Sequence, residues 1–336
     1  MSAPGSPHPL LLADIGGTNA RLAWVAHAQA GIEQVQTLPV AAHRGPAQAV
    51  QTYLQGLQRE LGARFQPPAS AALAVATPVA GDAVRFTNSA WSFSIEALRR
   101  ELALAQLVVV NDFEALARAL PGLGPAQWRR LGGPPPRAAA EVSCGTVLAV
   151  LGPGTGLGVA AVLRTRNGWQ ALPAEGGHAT LAAADALQAE VIAHVRREYA
   201  HVSAERLLSG PGLVLLHAAL AAVRGVPIRP AMTPAQIVAA AQQHGDELAG
   251  HTLDLFAALL GGFAGNLALT LGARGGVFVG GGVVPRFADR VVGAGFRAHF
   301  EAKGRFAGYL AAIPTLLVTD TLAALAGARL AADEGN

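Results

Sequence analysis

Only one cysteine, Cys144, occurs in 336 residues, and only one of the 25 Lys+Arg residues, Lys303, is a lysine. The first scarcity excludes a disulfide framework within the chain and any zinc or iron–sulfur site built from several cysteines. It fits a reducing cytoplasm, the expected compartment. The second scarcity excludes two nucleotide-binding devices. Lys303 lies in Ala302-Lys303-Gly304, so there is no G-x-x-x-x-G-K-[ST] loop. There is no V-A-I-K strand either, which removes a protein kinase of the usual kind. Phosphate chemistry here must use backbone N–H groups, arginine or a metal ion. Charge is scarce too, at 14% of residues with a formal net charge of +3. The pI of 9.6 therefore reflects arginine usage in a weakly charged chain. No dense arginine stripe is present, and no nucleic-acid partner is expected.

Targeting signals are equally thin. No positive region precedes the apolar residues 10–13, and Asp14 ends that run, so no signal peptide is expected. Residues 142–163 and 255–273 carry no charge over 22 and 19 positions, long enough to span a bilayer. The first stretch is broken by Gly152-Pro153-Gly154-Thr155-Gly156-Leu157-Gly158 and reads as strand–turn–strand. The second, with Asn266 and a Gly261-Gly262 pair, reads as a buried core helix. No membrane association is expected.

What the chain does have is apolar bulk: 51% hydrophobic residues and a mean hydropathy of +0.35. At about 150 residues per domain this length suggests two lobes. Forty glycines and 21 prolines without a G-x-y period indicate turns, not collagen. Residues 10–15 predict a strand, Gly16-Gly17-Thr18-Asn19 a tight turn, and residues 20–26 a return strand. The same unit recurs at 147–151, 152–158 and 159–163; aligning Gly17 with Gly154 gives an offset of 154 − 17 = 137. Two related lobes facing a shared cleft would explain that repeat, as would coincidence in a glycine-rich chain. Between the hairpins, residues 71–76 predict a strand, and Ser94 a helix N-cap. The fully apolar residues 107–110 predict a central parallel strand, and 114–120 a helix stopped by Pro121 and Gly122. Gly132-Gly133-Pro134-Pro135-Pro136 reads as a loop or lobe linker. Mainly helical stretches follow, with strands at 276–279 and 315–318. Alternating strands and helices indicate α/β layers.

Five places can carry chemistry. In Asp14-Ile15-Gly16-Gly17-Thr18-Asn19, a carboxylate ends a buried strand beside a turn whose N–H groups can nest an anion. Asp14 could hold Mg²⁺ directly or through water; the plainer reading is a turn aspartate. Gly152 to Gly158 contains G-x-G-x-x but is followed by a strand-like run, so phosphate cradling by Gly154 and Thr155 fits better than a dinucleotide fold. Gly280-Gly281-Gly282 would let a flat base lie on backbone, or simply serve tight packing. Asn111-Asp112 closes a strand where open α/β sheets bind ligands, yet Asp112 also reads as an N-cap. Glu175 and His178 are three apart, with Glu205 downstream. A metal reading has only one further ligand class nearby and no H-E-x-x-H helix, and hydrogen bonding to a polyol suits these groups.

The set resembles the bacterial glucokinase family over about residues 10–330. The resemblance rests on residues 14–21, Thr87-Asn88-Ser89-Ala90-Trp91-Ser92-Phe93-Ser94, Asn111-Asp112-Phe113, Gly154-Thr155-Gly156-Leu157-Gly158 and Glu175-Gly176-Gly177-His178. It continues through His201-Val202-Ser203-Ala204-Glu205-Arg206, Ser209-Gly210-Pro211-Gly212 and Gly280 to Arg286. Pro153 stands where the family often has alanine. The family's fold is implied: an α/β, two-lobed, actin-like (ribonuclease H-like) ATPase with an internally duplicated βββαβα core and a cleft between lobes. That gives an N-terminal tail at 1–9, a small lobe at 10–132 and a large lobe at 133–336, with the C-terminal helix returning to the small lobe. The resemblance implies ATP-dependent phosphorylation of D-glucose at its 6-hydroxyl, with ATP and Mg²⁺ as cofactors and a homodimer as assembly. Asp112 is then the general base, and Asn111, Asp112, Glu175, His178 and Glu205 bind the sugar. Asp14, Gly16, Gly17, Thr18, Asn19, Gly154 and Thr155 flank the phosphates, Gly281 and Gly282 lie near the adenosine, and Asp14 holds Mg²⁺ through water. The multi-cysteine zinc motif of the related repressor/kinase group is missing. Two rivals remain, a kinase for another hexose and a non-catalytic nucleotide-dependent binding module. A repressor of this fold would need a DNA-binding segment ahead of Leu10, where nine residues stand.

Overall fold

Six consecutive residues with hardly a polar side chain fit a sheet only where both faces are covered, and β1 (Leu10–Ile15) is covered on both. Leu11, Ala13 and Ile15 face one apolar cluster while Leu10 and Leu12 face another, the period-two alternation of a strand. Each of these leucines is fully buried, a contribution of about 1.5–3 kcal/mol apiece. The structure is a computed structural model of the 336-residue chain, and it describes residues 6–86, 89–227, 232–243, 245–293 and 295–334. Thr87 and Asn88 of the resembling stretch, and residues 1–5 of the expected tail, lie outside them.

The chain forms two compact units, residues 1–120 with 321–336, and residues 121–320. In the first, β1 pairs antiparallel with β2 (Asn19–Val25), which pairs with β3 (Glu33–Pro39). Helix α1 (Pro46–Leu61) leads to β4 (Ser70–Val75), parallel to β1. After the short hairpin β5 (Ala83–Arg85) and β6 (Ser92–Ser94), α2 (Ile95–Glu101) leads to β7 (Gln106–Asn111), parallel to β4, and α3 (Asp112–Ala119) follows. The strand order is β3-β2-β1-β4-β7. The C-terminal helix Ala323–Glu334 packs in this same unit, where Leu325, Ala328 and Ala331 cover Leu10, Leu12 and Ala74.

The expectation of a central strand at 107–110 is corrected: β7 is the sheet's edge. Helices cover both its faces, with Leu107 and Val109 against the α1 side and Val108 and Val110 against the C-terminal helix. Hydropathy reports covered faces and says nothing about a free hydrogen-bonding edge.

The second unit has strands β8 (Trp128–Gly132), β9 (Val147–Pro153), β10 (Leu157–Thr165) and β11 (Gly168–Ala174). Five helices follow: α4 (Ala186–Val195), α5 (Ala204–Leu207), α6 (Gly210–Arg224), α7 (Pro234–Gln243) and α8 (Glu247–Leu271). Strand β12 (Gly276–Val279), helices α9 (Ala288–Gly293), α10 (Phe296–Glu301) and α11 (Ala307–Ala311), and strand β13 (Thr315–Val318) complete it. The order β11-β10-β9-β12-β13 repeats that of the first sheet, with β8 added at the edge. The Gly-Thr similarity at an offset of 137 therefore marks a duplicated topology, β1 corresponding to β9 and β2 to β10. Because β8 pairs with β13, residues 121–132 lie in the second unit, and the division falls after Leu120 rather than after residue 132. The proline-rich residues 133–136 form a loop inside that unit.

Helix α8 is long and apolar enough to cross a membrane, but 78% of its most apolar window is buried in the protein. Its notch explains the glycines. A methyl group on Gly261 or Gly265 would overlap the backbone carbonyl of Phe296 or Phe300, so the two glycines, one turn apart, let α10 lie directly against α8.

Candidate active site

Ile15, Val75 and Asn111 stand side by side in register at the carboxyl ends of three parallel strands. Loops leaving that edge are where open α/β sheets bind ligands. Asp14 lies one residue before the edge and Asp112 one residue beyond it. Asn111, not Asp112, is the N-cap of α3: its Oδ1 accepts from the N–H groups of Phe113 (2.9 Å) and Glu114 (3.2 Å). Its Nδ2 donates to the carbonyls of Val75 (3.5 Å) and Thr77 (3.3 Å). The capping reading of Asp112 thus passes to its neighbour. The Asp112 carboxylate also accepts from the Phe113 N–H, at 2.9 Å.

Burial, and then the like charge of Asp14, push the Asp112 carboxyl up to about 7, against the lowering pull of its hydrogen bonds. Asp14 is also raised by burial, with Arg21 opposing. Arg21 sits directly across the β1–β2 ladder, its Nη1 4.0 Å from the Asp14 carboxylate, and also donates to the Thr321 carbonyl. Sequence reading gave Arg21 no role, although a hairpin turning at 16–19 already sets position 21 opposite position 14. The turn closes with Gly16 N–H donating to Asn19 O at 2.9 Å. Among the described residues, the N–H groups of Gly17 and Thr18 meet no acceptor, as an anion nest requires.

The second unit builds a matching turn. Gly154 N–H donates to Gly156 O at 2.8 Å, and the N–H groups of Thr155 and Gly156 meet no acceptor among the described residues. The expected seven-residue turn is only Gly154 to Gly156, because β9 runs to Pro153 and β10 starts at Leu157. Gly154 O accepts from Gly210 N–H (2.8 Å) at the start of α6, whose N-cap is Ser209. A fifteen-residue helix thus begins against the Gly154–Gly156 turn, a feature the sequence signals only as Ser with Pro two residues on. The Gly281-Gly282 loop follows β12, parallel to β9, and Val283 N–H donates to Pro153 O at 3.1 Å. At Gly281 φ is +79°, and any side chain would overlap the Pro153 carbonyl.

Glu175, His178 and Glu205 gather at the first residue of β10. Glu175 and His178 are well exposed, with Nε2 to Oε2 at 3.8 Å, too far for a hydrogen bond. Gly177 lies so close to the Leu157 carbonyl that no side chain fits, and Glu205 Oε2 accepts from the Leu157 N–H at 2.8 Å. Residues 179–181 and 202–204 are stitched together by Leu181 N–H to Val202 O and Ala204 N–H to Ala179 O. Among the described residues, no three His, Cys, Asp or Glu side chains cluster as a metal-binding group. Within the first unit the structure thus brings Asp14, Gly16 to Asn19, Asn111 and Asp112 to one sheet edge. Within the second it brings Gly154, Thr155, Gly281 and Gly282 to the corresponding edge, with Glu175, His178 and Glu205 beside it.

Comparison with known proteins gives the family and the fold. The family model described as glucokinase matches residues 11–335. The glucokinase of Aromatoleum aromaticum is 46% identical over 326 residues, 97% of this chain and 95% of that protein. The bifunctional protein glk of Burkholderia pseudomallei is 46% identical over 329 residues, 97% of this chain but 49% of that protein. The chain therefore spans about half the length of the bifunctional relatives it matches. The crystal structure of a glucokinase from an Antarctic psychrotroph superposes with a TM-score of 0.84 at 37% identity, covering 98% of this chain and 99% of that one. A ROK-family glucokinase from Streptomyces griseus, solved with glucose and AMPPNP, shares the fold at 19% identity and TM-score 0.62, covering 96% and 98%. The two duplicated units are those of the actin-like, hexokinase-type ATPase fold, and the chain belongs to the glucokinase family.

Proposed function

We propose that this chain catalyses ATP-dependent phosphorylation of D-glucose to glucose 6-phosphate, with Asp112 as the base on the 6-hydroxyl. The observation carrying this reading is a carboxylate off the end of β7 whose proton affinity is pushed up to about 7, in a glucokinase-family chain. A base poised near working pH takes a hydroxyl proton only as the phosphoryl group arrives, typically worth ~10²–10⁴-fold in rate. The rest of the catalysis is positioning and charge stabilisation, since phosphoryl transfer asks little covalent help of the protein.

In this reading the free N–H groups at Gly17, Thr18, Thr155 and Gly156 receive phosphate oxygens, and the Gly281-Gly282 backbone lies under the adenosine. Asn111, Glu175, His178 and Glu205 take sugar hydroxyls. Asn111 reaches its hydroxyl through the amide nitrogen, whose 3.3 and 3.5 Å bonds are the weakest it makes. The oxygen-only donor offered by Asp14, costly to bury as a bare carboxylate, fits Mg²⁺ arriving with ATP. Bound there, the ion would neutralise phosphate charge. A cytoplasmic homodimer completes the proposal, checked for assembly by sedimentation. The activity test is kcat/KM over a panel of hexoses and phosphoryl donors. Highest efficiency with glucose and ATP is expected; turnover of another hexose in preference to glucose would reassign the substrate, and no turnover of any hexose would overturn the kinase reading.

A further inference from the structure

Leu157 joins what the proposed function treats as two separate subsites. It is the first residue after the Gly154–Thr155–Gly156 turn and lies opposite Pro153 in the β9–β10 ladder. Proline has no N–H to give, and the Pro153 carbonyl accepts from Val283 beyond the Gly281-Gly282 loop. On the other side, the Leu157 carbonyl lies against Gly177 of the turn between Glu175 and His178, and the Leu157 N–H donates to Glu205 Oε2 at 2.8 Å. Glu205 is held in place by its own segment: Ser203 caps α5, and Ala204 N–H donates to Ala179 O. A methyl group on Gly156 would overlap Glu205 Oε2, so the carboxylate rests on the turn itself. One carboxylate oxygen therefore grips the phosphate turn, while Oε1 makes no hydrogen bond to any described residue.

We propose that Glu205 is a positioning residue as well as a sugar ligand: it pins the phosphate turn through Leu157, so that sugar and nucleotide strengthen each other's binding. This rests on the proposed function for the sugar's identity, but not for the grip on the turn. A hydroxyl arriving at Oε1 fixes the carboxylate's rotamer, and the fixed carboxylate fixes the turn. Coupling of this kind is reciprocal.

The test is the affinity of the imido analogue of ATP, with Mg²⁺, measured with and without saturating glucose for wild type, Glu205→Gln and Glu205→Ala. Wild type is expected to bind the analogue more tightly with glucose. Glu205→Gln keeps an amide oxygen for the Leu157 N–H, so its affinity without sugar stays within about twofold of wild type. Glu205→Ala leaves that N–H without its charged acceptor, a loss expected to weaken sugar-free nucleotide binding about tenfold. Gly156→Ala changes no side chain placed on the sugar but pushes the Glu205 carboxylate off the turn, and is expected to show the same sugar-free defect; it also serves if Glu205→Ala does not fold. Wild-type affinity for the analogue without sugar in both Glu205→Ala and Gly156→Ala would overturn the proposal. Absence of sugar phosphorylation by wild type would instead strike the functional reading, because this binding measurement needs no turnover.

Discussion

Asp112 carries conflicting demands within one side chain. Its environment raises the cost of the charged form, and its proposed task requires that form. Replacing it with asparagine is expected to preserve glucose binding while lowering turnover ~10²–10⁴-fold; near-normal turnover would remove it from the base role. In wild type, turnover should climb as pH rises through about 7, because only the deprotonated carboxylate accepts the proton. Stability should move the other way. The folded state holds the Asp112 proton up to about 7, whereas the unfolded carboxyl releases it near its ordinary 3.8, so this group's contribution to stability falls as pH rises across that window. Asp112→Asn should therefore raise the melting temperature by a few degrees at pH 8 and by little at pH 4. An equal effect at both pH values would mean that burial of the charge is not what the variant relieves. The position of Asp112, at a strand end before a helix, was legible. Its raised proton affinity was not, because it depends first on burial and then on Asp14, almost a hundred positions away, being brought beside it by the pairing of β1, β4 and β7.

Among the elements, the helix at 247–271 shows how local pattern and tertiary context divide the work. Its length and composition match a membrane span, and only its burial among α6, α7 and α10 makes it a core helix. Asn266 and the Gly261-Gly262 pair pointed toward a buried core helix, but the glycine that does the packing with Gly261 is Gly265. Gly261→Leu would force α10 off α8 and is expected to cost more than the 1–3 kcal/mol typical of overpacking, since backbone rather than a side chain must move. Calorimetry would read this as a fall of several degrees in melting temperature; Gly262→Leu, at a position with open space around it, should show little change. Strand β7 teaches the complementary point. Four apolar residues in a row correctly announce two covered faces, yet strand order depends on which partners the chain brings alongside.

For the whole molecule, the repeat at an offset of 137 residues scales up into two sheets of the same order. The chain passes between its two units twice, after Leu120 and again after Asp320. If sugar binding draws the units together, as water exclusion from phosphoryl transfer favours, saturating glucose will reduce the radius of gyration in solution scattering. An unchanged radius at saturation counts against closure.

The sequence by itself determined the strand–turn–strand hairpins, the glycine-rich turns between their strands, the helix after Asn111, and the resemblance that marked the family. All of these are encoded within a few consecutive residues, where hydropathy period, turn chemistry and capping act locally. Only the tertiary structure decided which strand is an edge, where the division between units falls, that Asn111 rather than Asp112 caps its helix, and that Glu205 grips Leu157. Each of these depends on groups meeting across strands or across dozens of intervening residues, and a free-energy balance between distant partners has no imprint in either one's neighbours along the chain.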